Sequence, residues 1–267
     1  MTFSIAGKTA IVTGAANGVG LAIGRHFLRE GANVVFADMD EASLERQVGE
    51  QADEDATFRI FAGDLRERLT IKNLLSLTVD AFERIDILVN ASRQMIAADP
   101  LDSENDAMET LLQQNLMTAL RLSQATAKRM IKQADPEGDG PIGAIINLSS
   151  IAARRTHPEL LAYSVSSAAL DQMTRSLAVA LAPKRIRVNA VAFGSVMSAS
   201  LKGALKDNEE FREEIVDHTP LNRIAGPSEV SDAVQYLASD ASSFVTGQII
   251  TVDGGRTLID PVTAPAH

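Results

Sequence analysis

Short β-rich runs recur along this 267-residue chain, separated by longer stretches whose apolar residues have helical spacing. Most of the runs are apolar throughout rather than alternating, which is typical of strands that are covered on both faces. The segments between them are long enough for crossover helices. The pattern therefore predicts a doubly wound α/β fold, with a parallel sheet of about seven strands and helices on both faces. The seven runs are TAIVTG, NVVFAD, TFRIFAGD, IDILVNAS, GAIINLSS, IRVNAVAFG and GQIITVDGG.

We expect one domain over residues 1–267, because nothing after the early strands suggests a second core. The polar, turn-rich segment 134–141 is followed at once by strand-like sequence and is expected to be a surface loop. A charged segment of helical spacing at about 195–220 has two open interpretations, a lid over a substrate or a solvated pair of surface helices. A short C-terminal tail follows the last run.

Composition excludes several classes of function. The chain carries 35 acidic and 25 basic residues, a net charge of −10, which argues against nucleic acid as a partner. It has no cysteine and four scattered histidines, so no metal site is expected. The N-terminus lacks the features of a signal peptide and no apolar run reaches membrane length, so we expect a cytoplasmic protein with no membrane partner. A small-molecule ligand fits this composition best.

The first predicted strand leads into TGAANGVG, Thr13 to Gly20, and a helical pattern follows immediately. Gly14 can adopt a turn conformation closed to other residues, while Gly18 and Gly20 allow backbone and helix to approach closely. The N-terminus of the helix offers free N–H groups to a pyrophosphate. This strand, glycine turn and helix indicate a Rossmann-type dinucleotide site, the alternative being a structural turn without a ligand.

Asp38 ends the second predicted strand, where an acidic side chain can accept hydrogen bonds from both ribose hydroxyls of a dinucleotide. The same carboxylate would repel a 2′-phosphate. Neither GAANGVG nor ADMD contains an Arg or Lys to neutralise that phosphate, so NAD is favoured over NADP. The alternative is that Asp38 serves only as the turn residue that ends the strand.

Five motifs occur in order: TGAANGVG, INLSS, YSVSSAAL, IRVNAVAFG and YLASDASSFVTGQIITVDGG. With them the chain resembles the compact form of the short-chain dehydrogenase/reductase family over nearly its whole length. The resemblance implies oxidoreduction of a secondary alcohol or ketone with a nicotinamide cofactor. It also implies a homo-oligomer, a tetramer or a dimer.

The resemblance assigns catalytic roles to three residues. Ser150 would bind the substrate oxygen, and Tyr163, which follows it at the family's spacing, would exchange the proton. Asn115, in LLQQNLMTAL, matches the helical asparagine that shapes the site and supports a water chain. A buried asparagine that stabilises a helix kink is an equally good interpretation of Asn115.

The resemblance also assigns the cofactor contacts. Asp64 matches the acidic residue that holds the adenine ring, and the residues after the sixth run match those that hold the carboxamide. The full predicted set of cofactor-binding residues is Gly14, Asn17, Gly18, Val19, Gly20, Asp38, Asp64, Leu65, Asn90, Ala91, Tyr163, Ser167, Gly194, Val196 and Ser198.

The chain departs from the family pattern at three places. It has NASR, Asn90 to Arg93, where the family usually has Asn-Asn-Ala-Gly, and Phe193 before Gly194 where the family has Pro-Gly. Most seriously, Ser167 stands where the family has a lysine. That lysine anchors the nicotinamide ribose and lowers the pKa of the family's catalytic tyrosine by its charge.

A serine hydroxyl reaches the ribose only through a water, and a neutral group cannot replace the charge. A unit charge about 6 Å from the phenol, at an effective dielectric constant of about 20, is worth roughly 3 kcal/mol. With a Brønsted coefficient of about one half, losing it predicts a roughly tenfold slower proton exchange. The chain is thus expected to be a slow enzyme, the alternative being a catalytically impaired NAD-binding scaffold or sensor.

Two cationic features remain open. Arg93 occupies the family's glycine position, where it would either point to solvent, which we favour, or supply the missing charge. The loop between the two catalytic candidates carries Arg154, Arg155 and His157. We favour a solvated loop there over contact with an anionic substrate.

Overall fold

The computed structural model describes residues 3–49 and 56–260. Within these ranges, seven parallel strands form one sheet in the order β3-β2-β1-β4-β5-β6-β7. Each of the seven predicted runs contains one strand, so the predicted fold class is confirmed. The strands are β1 Thr9–Thr13, β2 Asn33–Asp38, β3 Phe58–Ala62, β4 Ile87–Asn90, β5 Gly143–Ser150, β6 Ile186–Phe193 and β7 Ile249–Val252.

Helices connect the strands and cover the sheet on both sides. A π-helical segment, Leu112–Met117, lies between α4 and α5. The helices are α1 Gly18–Arg29, α2 Glu41–Val48, α3 Arg68–Phe82, α4 Met108–Leu111, α5 Thr118–Gln133, α6 Leu161–Leu181, α7 Ala199–Asp207, α8 Glu209–Asp217 and α9 Pro227–Ala238.

Two apolar cores form because successive strand residues point to opposite faces of the sheet. Val12 packs with the core beneath α1 and α9, which includes Phe27 and Val234. Its neighbour Ile11 packs with the core beneath α3, α5 and α6, which includes Leu74. These five side chains are all fully buried. Because both faces of such a strand are buried, polar residues do not alternate with apolar ones, which explains the uniformly apolar runs.

The parallel arrangement places the carboxyl ends of all strands along one edge of the sheet. The strand order reverses between β1 and β4, where consecutive connections run to opposite sides of the sheet. Ligands of open α/β sheets bind in the crevice at such a point. The edge that carries Thr13, Asp38, Asn90, Ser150 and Phe193 is therefore where a site is expected.

The predicted loop 134–141 connects α5 to β5 and is mostly exposed. Residues 261–267 of the predicted C-terminal tail lie outside the described residues. In the two described ranges, every helix is too short or too polar to cross a membrane.

Gly24 of α1 faces the buried ring of Phe36 on β2, and a Cβ added at Gly24 would lie 2.3 Å from a ring carbon. We predict that Gly24→Ala lowers the free energy of unfolding by about 1–3 kcal/mol, because the enclosed ring cannot retreat. Urea denaturation monitored by circular dichroism measures the change.

The matched control is Gly203→Ala in α7, where an added Cβ meets no atom within 4 Å. Helix propensity alone acts there, so the variant should be as stable as the parent or more stable by up to about 1 kcal/mol. Equal stabilities for the two variants would contradict the close packing of α1 on β2.

Candidate active site

A cavity of about 1570 Å³ opens at the carboxyl edge of the sheet. Small-molecule sites in proteins usually measure about 300–1,000 Å³, so this one has room for a dinucleotide and a small substrate together. Most of the predicted site residues border it: Gly14, Asn17, Gly18, Val19, Gly20, Asp38, Asp64, Leu65, Ala91, Ser150, Tyr163, Gly194, Val196 and Ser198.

The other predicted residues border a second, much smaller cavity of about 10 Å³. That volume corresponds to about one water molecule. Ser167 and Asn115 line it together with Tyr163, Asn90 and Arg93. A space of about one-water size thus lies beside the position where the family has its lysine.

The glycine loop has the geometry that a pyrophosphate requires. Gly14 and Gly18 have φ values of +62° and +57°, in the left-handed region that favours glycine. A Cβ on Gly20 would lie 2.2 Å from the carbonyl oxygen of Gly14, so no larger residue fits. The side chain of Asn17 makes no capping hydrogen bond to α1. The first N–H groups of α1 are therefore available to an anion, and the loop fits the phosphates of a dinucleotide.

The Asp38 carboxylate borders the cavity and is held there by two backbone N–H groups. One carboxylate oxygen accepts a hydrogen bond from the backbone N–H of Ala16 at 3.0 Å, and the other accepts one from Asp40 at 3.2 Å. Asp38 therefore ends its strand in a turn and also ties the glycine loop to β2. A carboxylate has about four lone-pair positions, so acceptor capacity remains for ribose hydroxyls.

Asp64 borders the cavity with its carboxylate already paired to Arg66, whose N–H groups lie 2.6–3.0 Å from the two oxygens. Hydrogen bonding to this guanidinium holds the pKa of the Asp64 carboxyl below its ordinary value. Arg66 itself borders the cavity. No sequence pattern pointed to Arg66, because it lies outside both segments in which a basic residue was sought.

The two catalytic candidates lie in the cavity from neighbouring elements. Ser150 is the last residue of β5, and its Oγ accepts a hydrogen bond from the N–H of Ala152 at 3.1 Å. Tyr163 lies in the first turn of α6 and is buried against Ala152 and Leu111. The Ser150 hydroxyl keeps its own proton free to donate to a ligand oxygen.

Asn115 lies in the π-helical segment and is buried. Its Oδ1 accepts from the N–H of Gln94 at 2.8 Å, and its Nδ2 donates to the Gln94 carbonyl at 2.9 Å. Asn115 thus lies in an irregular helical turn, as the second interpretation expects, and its side chain is bonded to the loop that follows β4. Such π-bulges are frequent at functional sites.

The Arg93 residue is exposed as a whole, but its guanidinium points into the site. Its Nη1 donates to the Tyr163 hydroxyl at 2.7 Å and lies 3.2 Å from the Ser149 carbonyl oxygen. Its guanidinium carbon lies 4.1 Å from the centre of the Phe193 ring. The favoured expectation of a solvent-directed Arg93 is therefore wrong, and the two unusual residues Arg93 and Phe193 are in contact.

Asn90 borders only the smaller of the two cavities. Its Nδ2 donates to Ser123 Oγ at 3.0 Å and to Asn147 Oδ1 at 2.8 Å, and both of these residues are buried.

The three charged residues of the loop after β5 have different surroundings. Arg154 donates to Thr251, whereas Arg155 and His157 border the large cavity. No pattern in the sequence pointed to the residues after β7 that also border it, Arg256, Leu258, Ile259 and Asp260.

In the described part of the chain, no group of three or more His, Cys, Asp or Glu side chains could hold a metal ion.

Comparison with known proteins places the chain in a family. A family model described as enoyl-(acyl carrier protein) reductase matches residues 14–257. The 3-oxoacyl-[acyl-carrier-protein] reductase FabG of Thermotoga maritima is 33% identical over 252 residues, which cover 94% of this chain and 98% of the relative.

Two solved structures with bound cofactors are similar over nearly their full lengths. A 7α-hydroxysteroid dehydrogenase in complex with NADH and 7-oxo glycochenodeoxycholic acid has a TM-score of 0.86 and 30% identity, with 95% of this chain and 96% of that chain covered. A gluconate 5-dehydrogenase from Burkholderia cenocepacia in complex with NADP and tartrate has a TM-score of 0.85 and 29% identity, with 97% and 98% covered. Together with the glycine loop, Ser150 and Tyr163, these matches show that the chain belongs to the short-chain dehydrogenase/reductase family of oxidoreductases.

Proposed function

We propose that this protein is an NAD-dependent oxidoreductase that interconverts a secondary alcohol and a ketone. The observation that carries the proposal is that Ser150 and Tyr163 border the same cavity as the glycine loop and Asp38. One cavity of ligand size thus contains both the glycine loop, which fits a dinucleotide, and the hydroxyl groups of Ser150 and Tyr163. The named activities of the relatives, on 3-oxoacyl, 7-oxo steroid and gluconate compounds, support a carbonyl or alcohol substrate.

In this mechanism the chain binds, orients and exchanges one proton. The N–H groups at the start of α1 hold the pyrophosphate, and the segment Gly194 to Ser198 holds the carboxamide. The nicotinamide, when bound, supplies or accepts the hydride. Ser150 donates a hydrogen bond to the substrate oxygen. Tyr163 takes the proton of the alcohol during oxidation and returns it to the oxygen during reduction.

We also infer that NAD is preferred to NADP. The Asp38 carboxylate is held at the edge of the cavity by two backbone N–H groups, so it cannot easily turn away from a bound ribose. A 2′-phosphate there would meet a fixed negative charge. Arg66 is the nearby cation, and its side chain is engaged with Asp64.

The segment 195–220 is proposed to act as a lid within a single NAD-binding domain. Both helices of this segment border the cavity, α7 through Leu201 and α8 through Phe211, Glu214 and Ile215, and so does His218, which follows α8.

We also propose that the chain assembles with further copies of itself. Leu161, Val165 and Val179 of α6 are 47%, 39% and 77% exposed, which favours a homo-oligomer in which another copy covers this helix.

A second candidate function is favoured by Ser167, which leaves the lysine position without a charge. In that case the protein binds NAD as a scaffold or sensor and does not turn over. Calorimetry with NAD, followed by a panel of secondary alcohols assayed for NADH formation, separates the two functions. Saturable binding without NADH for any alcohol, up to about pH 10, would support the scaffold.

We predict that Asp38→Asn lowers the ratio of the NADP to the NAD dissociation constant by about tenfold, which corresponds to about 1.4 kcal/mol. An asparagine oxygen can still accept the Ala16 N–H, so the glycine loop stays tied to β2, while the negative charge and the weaker bond from the Asp40 N–H are lost. Isothermal titration calorimetry with both dinucleotides measures the ratio. Asp40→Asn, a neighbouring charge removal at a residue that caps α2, should leave the ratio within about twofold. An unchanged ratio in Asp38→Asn would contradict the assignment.

We predict that Tyr163→Phe lowers kcat/KM by at least about 100-fold and changes the dissociation constant of NAD by less than about threefold. The phenylalanine fills the same buried space but cannot exchange a proton. The chain has two tyrosines, so Tyr236→Phe in α9 is a matched control that should keep full activity. Comparable activity in the Tyr163 and Tyr236 variants would refute the role of Tyr163.

A further inference from the structure

We propose that Arg93 is a catalytic residue, the cation that activates Tyr163 in place of the lysine that Ser167 has replaced. The proposal rests on the proposed oxidoreductase function, which it deepens by naming the source of the charge. It assigns a role to a position where the family usually has glycine. It also explains how a chain with Ser167 retains a charged group at the phenol.

Three contacts from separate elements orient the Arg93 guanidinium. It donates to the Tyr163 hydroxyl of α6 at 2.7 Å and reaches the carbonyl of Ser149 on β5 at 3.2 Å. Its face lies over the ring of Phe193 at the end of β6, with 4.1 Å between the guanidinium carbon and the ring centre. Among the described residues, Arg93 is the only hydrogen-bond partner of the Tyr163 hydroxyl. The contact at Phe193 is a cation–π interaction, which a family proline at that position would not provide.

The backbone on both sides of Arg93 is fixed. The N–H groups of Ala91 and Ser92 both donate to the hydroxyl of Thr13 at 3.0 Å. On the other side, Gln94 is held through its N–H and its carbonyl by Asn115. The arginine therefore leaves a constrained loop, although the residue itself is exposed at the cavity mouth. We assign Asn115 as a positioning residue that acts through this loop.

The chemistry of a guanidinium suits this role. It stays protonated over the whole accessible pH range and offers only donors. Donation to the phenol oxygen, together with the positive charge, stabilises the phenolate relative to the phenol. During oxidation the O–H bond of the alcohol breaks and a new O–H bond forms on the phenolate, while the hydride goes to NAD. Arg93 retains all of its protons, so no further reactant is needed.

The small cavity links Arg93 to Ser167. Both residues border it, as Tyr163 does. A lysine side chain is larger than this space, but at position 167 it would start from the wall of the cavity and bring a second cation toward the first. Like charges at short range disfavour each other, so the structure accommodates one cation, from the loop or from the helix. The two departures from the family pattern thus form one coupled exchange.

Other titratable groups near Tyr163 do not touch its hydroxyl. Asp171 of α6 is buried, and burial raises the pKa of its carboxyl. The remaining titratable groups that border the cavity on the substrate side are Arg155, His157, Glu214, His218, Arg256 and Asp260. Of the charged side chains in the described residues, Arg93 is the one that donates to the Tyr163 hydroxyl, so a direct effect on the phenol is assigned to Arg93.

The first test reads Tyr163 directly and requires no substrate. The chain has two tyrosines and no tryptophan, so in a Tyr236→Phe background the ultraviolet absorbance of tyrosinate reports Tyr163 alone. We expect Arg93→Gln to raise the midpoint of this titration by about one pH unit or more. Arg25→Gln, an exposed arginine of α1 bonded to Gln47, is the control of equal charge and should leave the midpoint unchanged. An unmoved midpoint in Arg93→Gln overturns the proposal, whether or not the protein turns over.

The second test uses turnover. Arg93→Gln should lower kcat/KM at neutral pH by about tenfold and move the rise of the pH–rate profile to higher pH by about one unit, with the dissociation constant of NAD changed less than about threefold. A lower rate with an unshifted profile would indicate a merely structural role and overturn the proposal. Absence of turnover in the unmodified protein would instead defeat the proposed function, and the absorbance titration would still decide the role of Arg93.

The third test uses the coupling between the two positions. Ser167→Lys alone should lower kcat/KM, because it adds a second cation near the one that Arg93 already supplies. In an Arg93→Gly background, the same Ser167→Lys change should raise kcat/KM about tenfold or more and return the pH profile toward that of the unmodified protein. Thermal melts verify that each variant is folded. Equal effects of Ser167→Lys in both backgrounds would show that the positions are independent and would contradict the exchange.

Discussion

The parallel pairing of β5 with β6 is the interaction on which the site depends. Its register opposes Ser150 to Phe193 at the carboxyl end, and the preceding pair opposes Ser149 to Ala192. This alignment places the Ser150 hydroxyl, the carbonyl that accepts from Arg93 and the aromatic ring that contacts Arg93 side by side. A slip of one residue would turn Ser150 to the opposite face of the sheet. The relative positions of these groups at the carboxyl end of the sheet are thus fixed by the backbone hydrogen bonds between β5 and β6.

A cation supplied from a loop differs physically from one supplied by a helix. A lysine on α6 would carry its charge on a flexible stem anchored to a rigid element. Arg93 differs in both respects, because its guanidinium is planar and rigid whereas its backbone belongs to the loop that follows β4. Such a segment must be fixed to be useful, and Thr13 and Asn115 hold it from both sides. The Thr13 hydroxyl therefore ties the end of β1, where the glycine loop begins, to the loop that follows β4.

The sequence predicted the sheet well and the electrostatics of the site poorly. The seven strands were predictable because burial on both faces leaves a uniform apolar signal in each run. The direction of Arg93 was not predictable, because it depends on contacts with Ser149, Tyr163 and Phe193, which lie far apart in the chain. Likewise, the pairing of Arg66 with Asp64 and the approach of residues after β7 are tertiary events without a periodic signal. A sequence motif predicts where the backbone of a residue lies. The charge at a site depends instead on where the ends of long side chains such as those of Arg93 and Arg66 are placed.

The same reasoning constrains how the two unusual positions relate. Arg93 and Ser167 border a space of about one-water size, so two cations there would lie within a few ångströms of one another. At about 4 Å and an effective dielectric constant of about 20, such a pair repels by roughly 4 kcal/mol before solvent screening. With no cation, the phenol loses a stabilisation of similar size. Only arrangements with one cation avoid both costs, and under the proposed exchange an arginine at 93 is the one that accompanies a serine at 167.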